Sequence, residues 1–389
     1  MHTPAFSAPL LSPTWGFSID LPEDYALTGG DRKNQFSFEN PEGAKFDLSV
    51  YHAEAGKEAP YPSLEEMAKD IHRRLNNKGE IDSFEYRQKK AFIIELSFLM
   101  PGAGGKQSSM NGWALCMELA KPEKSGTQYY SPMGPSEDSA AKPMLLAMAY
   151  GPAGKQDLQI LHFSALDSIA PEDEARLYPG PITEYAYPRQ KLMQAHISGL
   201  DISARIFAED AEAAQALVDR EFQVLRRYAA APNWQDAWTR FYRAIYRDSF
   251  DRLADAAFQV ERKLNVPPRE NREFADSALQ WTQFFKYERD FMGSDFVNLV
   301  SAATEGRGDC DSRALLWAVV MRHANIPSAI MVSRTFSHAM GLADLGGSGA
   351  RFELDGQKLL VAETTAKVSI GLIGETVSEV SEWLGISLE

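Results

Sequence analysis

Cysteine is scarce in this chain. Only Cys116 and Cys310 occur in 389 residues, so a disulfide framework is excluded as the source of stability. The two fall in regions of different character, and a bridge between them is not expected. Clusters of Lys and Arg are also missing. With 40 basic against 54 acidic residues the formal charge is −14, which argues against a long contact with phosphates and so against a nucleic-acid partner. Long apolar runs are absent as well: a stretch such as Ala314 to Met321 is short beside the ~20 residues of a helical membrane span. The opening MHTPAFSAPLLSP has no basic start followed by an apolar stretch and is not a signal peptide. A Pro-, Ser- and Ala-rich start is also how an exported protein with its leader removed would begin. Export is therefore the preferred expectation and a cytoplasmic location the alternative. No internal repeat or low-complexity tract is visible.

What is present suits an ordinary folded protein. Hydrophobic residues make up 44% and charged residues 24%, and the length exceeds what one hydrophobic core usually serves, so two domains are expected. The first half reads as strands with few helices. Phe17, Ile19 and Leu21 alternate, as do Phe46, Leu48 and Val50, and further strands are expected over Phe92–Met100, Met110–Leu119, Met144–Tyr150 and Leu158–Phe163. Between them Ser63 and Glu66 form a capping box for a helix whose apolar face is Leu64, Met67, Ala68, Ile71 and Leu75. A Gly-, Ser- and Pro-rich loop fills Lys121 to Pro143. After the prolines around Pro179–Pro188 come another alternating segment, Leu200 to Ile206, and a helix from about Ala211 to Tyr228. The run Ala229-Ala230-Ala231-Pro232 marks a boundary, giving domains 1–230 and 231–389.

Beyond the boundary the spacing predicts one long amphipathic helix carrying Trp238, Phe241, Ile245, Leu253, Val260 and Leu264, closed by Pro267-Pro268. A helix over Arg272–Tyr287 follows. GRGDCDSRALLWAVVMRHANIP comes next, then strands over Ser328–Ser333, His338–Leu345, Arg351–Leu354 and Lys358–Glu363, with Asp355-Gly356 as a two-residue hairpin turn. Helices first and strands last make the fold class α+β.

The chemistry gathers around Gly308-Asp309-Cys310-Asp311. The thiol stands at the start of an apolar helix, where unpaired N–H groups and the helix dipole favour a thiolate and can serve an oxyanion. Asp309 and Asp311 act the other way, because nearby carboxylates raise a thiol's pKa, so a cationic partner is required. His323 lies thirteen residues along the same helix, roughly 20 Å away at ~1.5 Å per residue, and cannot serve. His338 follows the Asn325-Ile326-Pro327 turn and one strand, so the chain can return it to Cys310. A third group should orient the imidazole. Glu363 on the hairpin's second strand is the first choice and Asp344 the second, with Asp355 explained by the turn.

The order of helix, Cys at a helix start, strand with His and strand with acid resembles the transglutaminase-like superfamily. GRGDCDSRALLWAVVMRHANIP is similar to its Gly-x-Cys segment, apolar helix and Ile-Pro turn; SRTFSHAMGLADL resembles its base-bearing strand. KLLVAETTA resembles the strand that usually ends Asp-Pro-Thr, here Glu363-Thr364-Thr365. The likeness spans Trp234 to the C-terminus and implies a papain-like catalytic domain with Cys310 as nucleophile, His338 as base and Glu363 as orienting acid. It also implies an oxyanion donor on the preceding helix. LQWTQFFKYERD resembles the family's Gln-x-x-x-Tyr segment, which points to Gln283, with Trp281 second. The first half resembles the α/β-sandwich group of photosystem-associated and Ran-binding proteins, a recognition module.

The resemblance implies attack on an amide carbonyl of a peptide, protein or cell-wall substrate through a thioester. Water as acceptor gives a peptidase or amidase, the favoured reading; an amine gives a transglutaminase. No metal or organic cofactor is required. Asp309, Cys310, Asp311 and His323 make no zinc set, because His323 cannot reach the others. A rival of another class is a binding or scaffold protein that keeps the fold without the chemistry. Among the remaining residues, Asp309 and Asp311 are helix caps, Cys116 is core, and Trp238 and Phe241 are packing.

Overall fold

The structure, a computed structural model, describes residues 9–54, 57–101, 106–120, 142–288 and 294–388. The expected loop from Lys121 to Pro143 lies almost wholly outside them, as do the first eight residues. Contacts group the chain into two compact units. The first holds the described residues up to Arg176, with Gly180–Ala186 and Ala230–Asp236; the second holds Leu177–Pro179, Tyr187–Ala229 and the described chain from Ala237 onward.

The first unit begins with the short pair β1 (Leu10–Leu11) and β2 (Ser18–Ile19). Its main sheet comprises β3 (Ala26–Gly29), β4 (Gln35–Glu39), β5 (Lys45–Tyr51), β6 (Ile81–Tyr86), β7 (Lys89–Pro101), β8 (Gln107–Glu118) and β9 (Met144–Pro152). The strands run antiparallel in the order β3-β4-β5-β9-β8-β7-β6. The helix α1 (Leu64–Arg74) is capped as its sequence requires, with Ser63 Oγ accepting the N–H of Glu66 at 3.2 Å. Its Leu64, Met67, Ala68 and Ile71 join Phe92, Ile94, Leu96, Ala114 and Cys116 in one core. Each large apolar side chain so buried contributes about 1.5–3 kcal/mol.

One expected strand is corrected. Leu158–Phe163 is not extended; it enters α2 (Gln159–Asp167), which buries Leu161, Ala165 and Leu166. A short apolar run fits a buried helix and a buried strand equally, and here packing on β8 and β9 decides. The short helix α3 (Pro181–Ala186) completes this unit.

The second unit opens with the hairpin β10 (Leu192–His196) and β11 (Ser203–Phe207), then α4 (Asp210–Tyr228). These segments were read as part of the first domain, but their partners lie in the second unit. Asp210 pairs with Arg252 at 2.6 Å and Glu221 with Arg240 at 2.7 Å, all four side chains nearly inaccessible. The long helix expected after the boundary is two, α5 (Trp234–Arg252) and α6 (Ala254–Leu264), broken at Leu253. The next helix, α7 (Asn271–Gln283), stops short of Tyr287 because Lys286–Tyr287 forms β12. That strand pairs in parallel with β13 (Arg307–Gly308), reached through α8 (Leu299–Glu305).

α9 (Cys310–His323) is almost wholly buried, as a helix apolar on every face must be. It packs on a sheet ordered β16-β17-β15-β14-β18, formed by β14 (Ser328–Ser333), β15 (His338–Ala343), β16 (Arg351–Leu354), β17 (Gln357–Ala362) and β18 (Leu384–Ser387). Asp355 and Gly356, at φ 50° and 78°, make the expected turn between β16 and β17. The sheet curls until its edges meet: a Cβ on Gly385 would stand 2.6 Å from the Phe352 ring. Gly341 on β15 faces Trp317 of α9 so closely that a Cβ would lie 2.5 Å from the indole. This glycine seats the helix against the strand that begins with His338. Mixed helix and sheet confirm the α+β class.

Candidate functional site

The start of α9, the start of β15 and the end of β17 hold the residues singled out above. Asp309 is the N-cap: its Oδ1 accepts the Ser312 N–H at 2.9 Å and the Ser312 hydroxyl at 2.7 Å. Cys310 is therefore the first helical residue, and its own N–H has no acceptor within the helix. The residue is 2% exposed. Among the influences on its thiol is the backbone N–H of Ala339, the neighbour of His338, which favours the thiolate.

His338 donates from Nε2 to Glu363 Oε2 at 2.7 Å. The antiparallel register explains the meeting: Gly341 pairs with Ala362, so residues beyond the end of β17 run alongside the start of β15. Glu363 stands just past that strand rather than on it. Its other oxygen, Oε1, accepts the N–H and hydroxyl of Thr365 at 2.7 and 2.6 Å. Burial pushes the Glu363 carboxyl up, but the hydrogen bond and charge of His338, with the donors of Thr365, outweigh it and hold the group below its ordinary range. With Nε2 engaged, Nδ1 is the ring nitrogen left for a thiol. Trp383 meets the imidazole edge-on, with centroids 6.1 Å apart. Asp344, the second choice for the acid, is exposed at the end of β15, where its N–H is bonded to Pro327.

The helix-start side is different in character. Cys310 donates to Asp311 Oδ2 at 3.5 Å, and Asp311 Oδ1 accepts the hydroxyl of Tyr242. Asp311 is thus not a cap but the acceptor between a thiol and a phenol. Burial, followed by the Asp311 charge and a hydrogen bond with its carboxyl, raises Asp309 well above the usual carboxylate range. Burial first, then Asp311 and Asp309, push the Cys310 thiol up, against the Ala339 N–H. The resting group is the thiol. Tyr242 is likewise pushed up, by burial and then by Asp311.

Gln283 departs from its expected role. Its Nε2 donates to the carbonyls of Glu363 at 2.9 Å and Val368 at 2.8 Å, so both amide hydrogens are committed and none is left for an oxyanion. What it does is hold the acid-bearing segment. The second choice, Trp281, spends its indole N–H on Ser198 at 2.8 Å. His323 is stacked on Phe250 at 3.9 Å and bonded to the carbonyl of Phe250, at the far end of α9. Among the described residues no group of three or more His, Cys, Asp or Glu is placed to hold a metal. No helix of the described chain is long and apolar enough to cross a membrane.

Sequence reasoning missed Tyr242, Trp383 and Arg313. The first two carry no local signal, because an aromatic on an amphipathic face looks like packing. Arg313 could have been noticed as a charge directly ahead of the apolar run Ala314 to Met321.

No family model matches the chain, and no curated protein is significantly similar to it. Among solved structures it is similar to a Bacteroides thetaiotaomicron protein at 10% identity, over 61% of this chain and 75% of that one, with a TM-score of 0.21. It is also similar to a candidate protease of Parabacteroides distasonis at 8% identity, over 85% of this chain and 69% of that one, with a TM-score of 0.22. Superposition at this level fixes neither a shared fold nor a shared chemistry.

Proposed function

We propose that the chain is a cysteine-dependent amide hydrolase, with a papain-like, transglutaminase-like catalytic domain in its C-terminal part. The observation that carries this reading is the pairing of His338 Nε2 with Glu363 Oε2 at 2.7 Å, at the start of a strand whose next residue, Ala339, acts through its N–H on the Cys310 thiol. A helix laid across a curled antiparallel sheet, with the thiol at the helix start, also suits it. His338 takes the thiol proton at Nδ1 as sulfur attacks the amide carbon, and Glu363 steadies the imidazolium. The free N–H of Cys310 donates to the tetrahedral oxygen in place of Gln283. Collapse expels the amine with the proton held by His338 and leaves a thioester. Water, deprotonated by His338, then releases the acid and frees the thiol.

One observation favours a second reading, a fold-retaining binding protein without turnover. Cys310 is 2% exposed and its thiol is pushed up by burial and two carboxyls. Iodoacetamide labelling across pH separates the two. An activated Cys310 reacts well below about pH 8, near a free thiol's pKa, and loses that advantage in His338→Ala. Labelling with the profile of an ordinary thiol, unchanged in His338→Ala, sinks the catalytic reading.

A further inference from the structure

The flanking carboxyls pose a problem that His338 alone does not answer, because Asp311 and Asp309 both act against a thiolate on Cys310. The compensation is found three residues along α9. Arg313 is 2% exposed. Its Nε donates to the carbonyl of Gly308 at 3.1 Å and its Nη2 to the carbonyl of Phe285 at 2.6 Å. Its guanidinium lies 5.5 Å from the centroid of the Tyr287 ring. Both acceptors are neutral, so they fix the fork in place without cancelling its charge. A guanidinium keeps that charge even when buried. The groups that act on it electrostatically include Tyr287, Asp309, Cys310 and Glu363, three of them from the site itself.

The two bonds also have a mechanical effect. Gly308 ends β13 and Phe285 directly precedes β12, the two short strands paired in parallel just ahead of the thiol. Gripping both carbonyls from inside α9 sets where the helix begins relative to that pair, and so where Cys310 stands.

We propose that Arg313 is a positioning residue for Cys310: its buried guanidinium offsets Asp309 and Asp311 in favour of the thiolate and locks the chain just before the nucleophile. This rests on the reading of Cys310 as the nucleophile. The charged and titratable groups coupled to that sulfur are Asp309 and Asp311 at the helix start, Tyr242 from α5 and Arg313 from α9; the proposed mechanism adds His338, with Glu363 behind it, from the sheet side.

The test is the rate of Cys310 alkylation by iodoacetamide, followed by mass spectrometry of its peptide from about pH 6 to 10, in the full chain. Losing one nearby opposite charge shifts a pKa by about one unit or more, so Arg313→Gln should alkylate about tenfold more slowly at a fixed pH below the midpoint, with the curve displaced upward. Arg313→Lys, which keeps the charge but not the two-carbonyl fork, should keep the parent's midpoint, any loss of rate being one factor common to every pH. An Arg313→Gln rate equal to the parent's overturns the proposal. So does a fall by one factor at every pH with the midpoint unmoved, which marks packing alone. Should Arg313→Gln not fold, the pair Asp309→Asn and Asp309→Asn/Arg313→Gln replaces it, because the second charge change relieves the first. At about pH 9 the double variant should again be about tenfold slower than the single one; equal rates overturn the proposal. Amide turnover with and without Cys310 is scored separately, so failure of the catalytic reading is distinguishable from failure of this one.

Discussion

The two cysteines have almost the same accessibility and nothing else in common. Cys116 is 0% exposed in β8, surrounded by Phe92, Ile94, Leu96 and the buried face of α1. Burial alone pushes its thiol up to about 12. Cys310 is 2% exposed, but the Ala339 N–H and the carboxyls of Asp309 and Asp311 act on its thiol, and the buried Arg313 guanidinium is coupled to it. Burial is therefore a poor guide to what a cysteine does. One sits in hydrocarbon, where a thiolate has no stabilising partner; the other sits among groups that can exchange protons and charge with it.

The largest effect should come from breaking the contrast at its centre. Cys310→Ala should abolish amide turnover while leaving the fold intact by circular dichroism. Cys116→Ala should leave turnover unchanged and cost about 1 kcal/mol in denaturant melts, the scale of a small core deletion. Turnover retained in Cys310→Ala refutes the catalytic assignment.

Glu363→Gln should lower kcat by about a hundredfold or more, since the imidazolium formed in the reaction loses its counter-charge. It should also change acid stability in a set direction. The Glu363 carboxyl is held below its ordinary 4.5, so its ionisation stabilises the fold above that value and the contribution is lost as pH falls through the lower folded value. The parent should lose stability more steeply than Glu363→Gln below about pH 4.5 in acid denaturation. Parallel curves contradict the pairing with His338.

Gly341→Ala tests how the two halves of the site are held together. The added Cβ must displace the Trp317 indole or β15, at a cost of about 1–3 kcal/mol, and turnover should fall with the melting temperature because β15 begins with His338. No change in either measurement removes Gly341 from the account.

The smallest effect concerns Asp309, whose folded pKa is raised. A carboxyl of this kind favours folding while protonated, and that stability is lost as pH rises through the folded value. Asn keeps the cap on Ser312 and cannot ionise. Asp309→Asn should therefore be more resistant than the parent to alkaline unfolding, by a fraction of a kcal/mol to about 1 kcal/mol. An identical alkaline limb shows that Asp309 carries no such burden.

Much of the local structure was legible in advance. Ser63 and Glu66 announce the start of α1, Asp355-Gly356 the hairpin, and Ser328–Ser333 appears as a strand with the bounds its apolar residues suggest. Cys310, His338 and Glu363 could be chosen because the distance along a helix eliminated His323 and the hairpin placed the acid. Gln283 was misjudged because its likeness says nothing of where its amide hydrogens go; two backbone carbonyls took them. Leu158–Phe163 was misjudged because six mostly apolar residues fit either period.

Sequence alone decided what is encoded between near neighbours: caps, turns, the apolar helix and the supply of a thiol, an imidazole and carboxylates in a usable order. Those depend on backbone geometry over a few residues. Only the tertiary structure decided that Asp311 would take the Tyr242 hydroxyl, that Arg313 would lie buried against the carbonyls ahead of the thiol, and that Tyr187–Ala229 would pack with the later chain. Each of these depends on desolvation and on partners distant along the chain, and electrostatic energy in a buried site is set by which charges meet there.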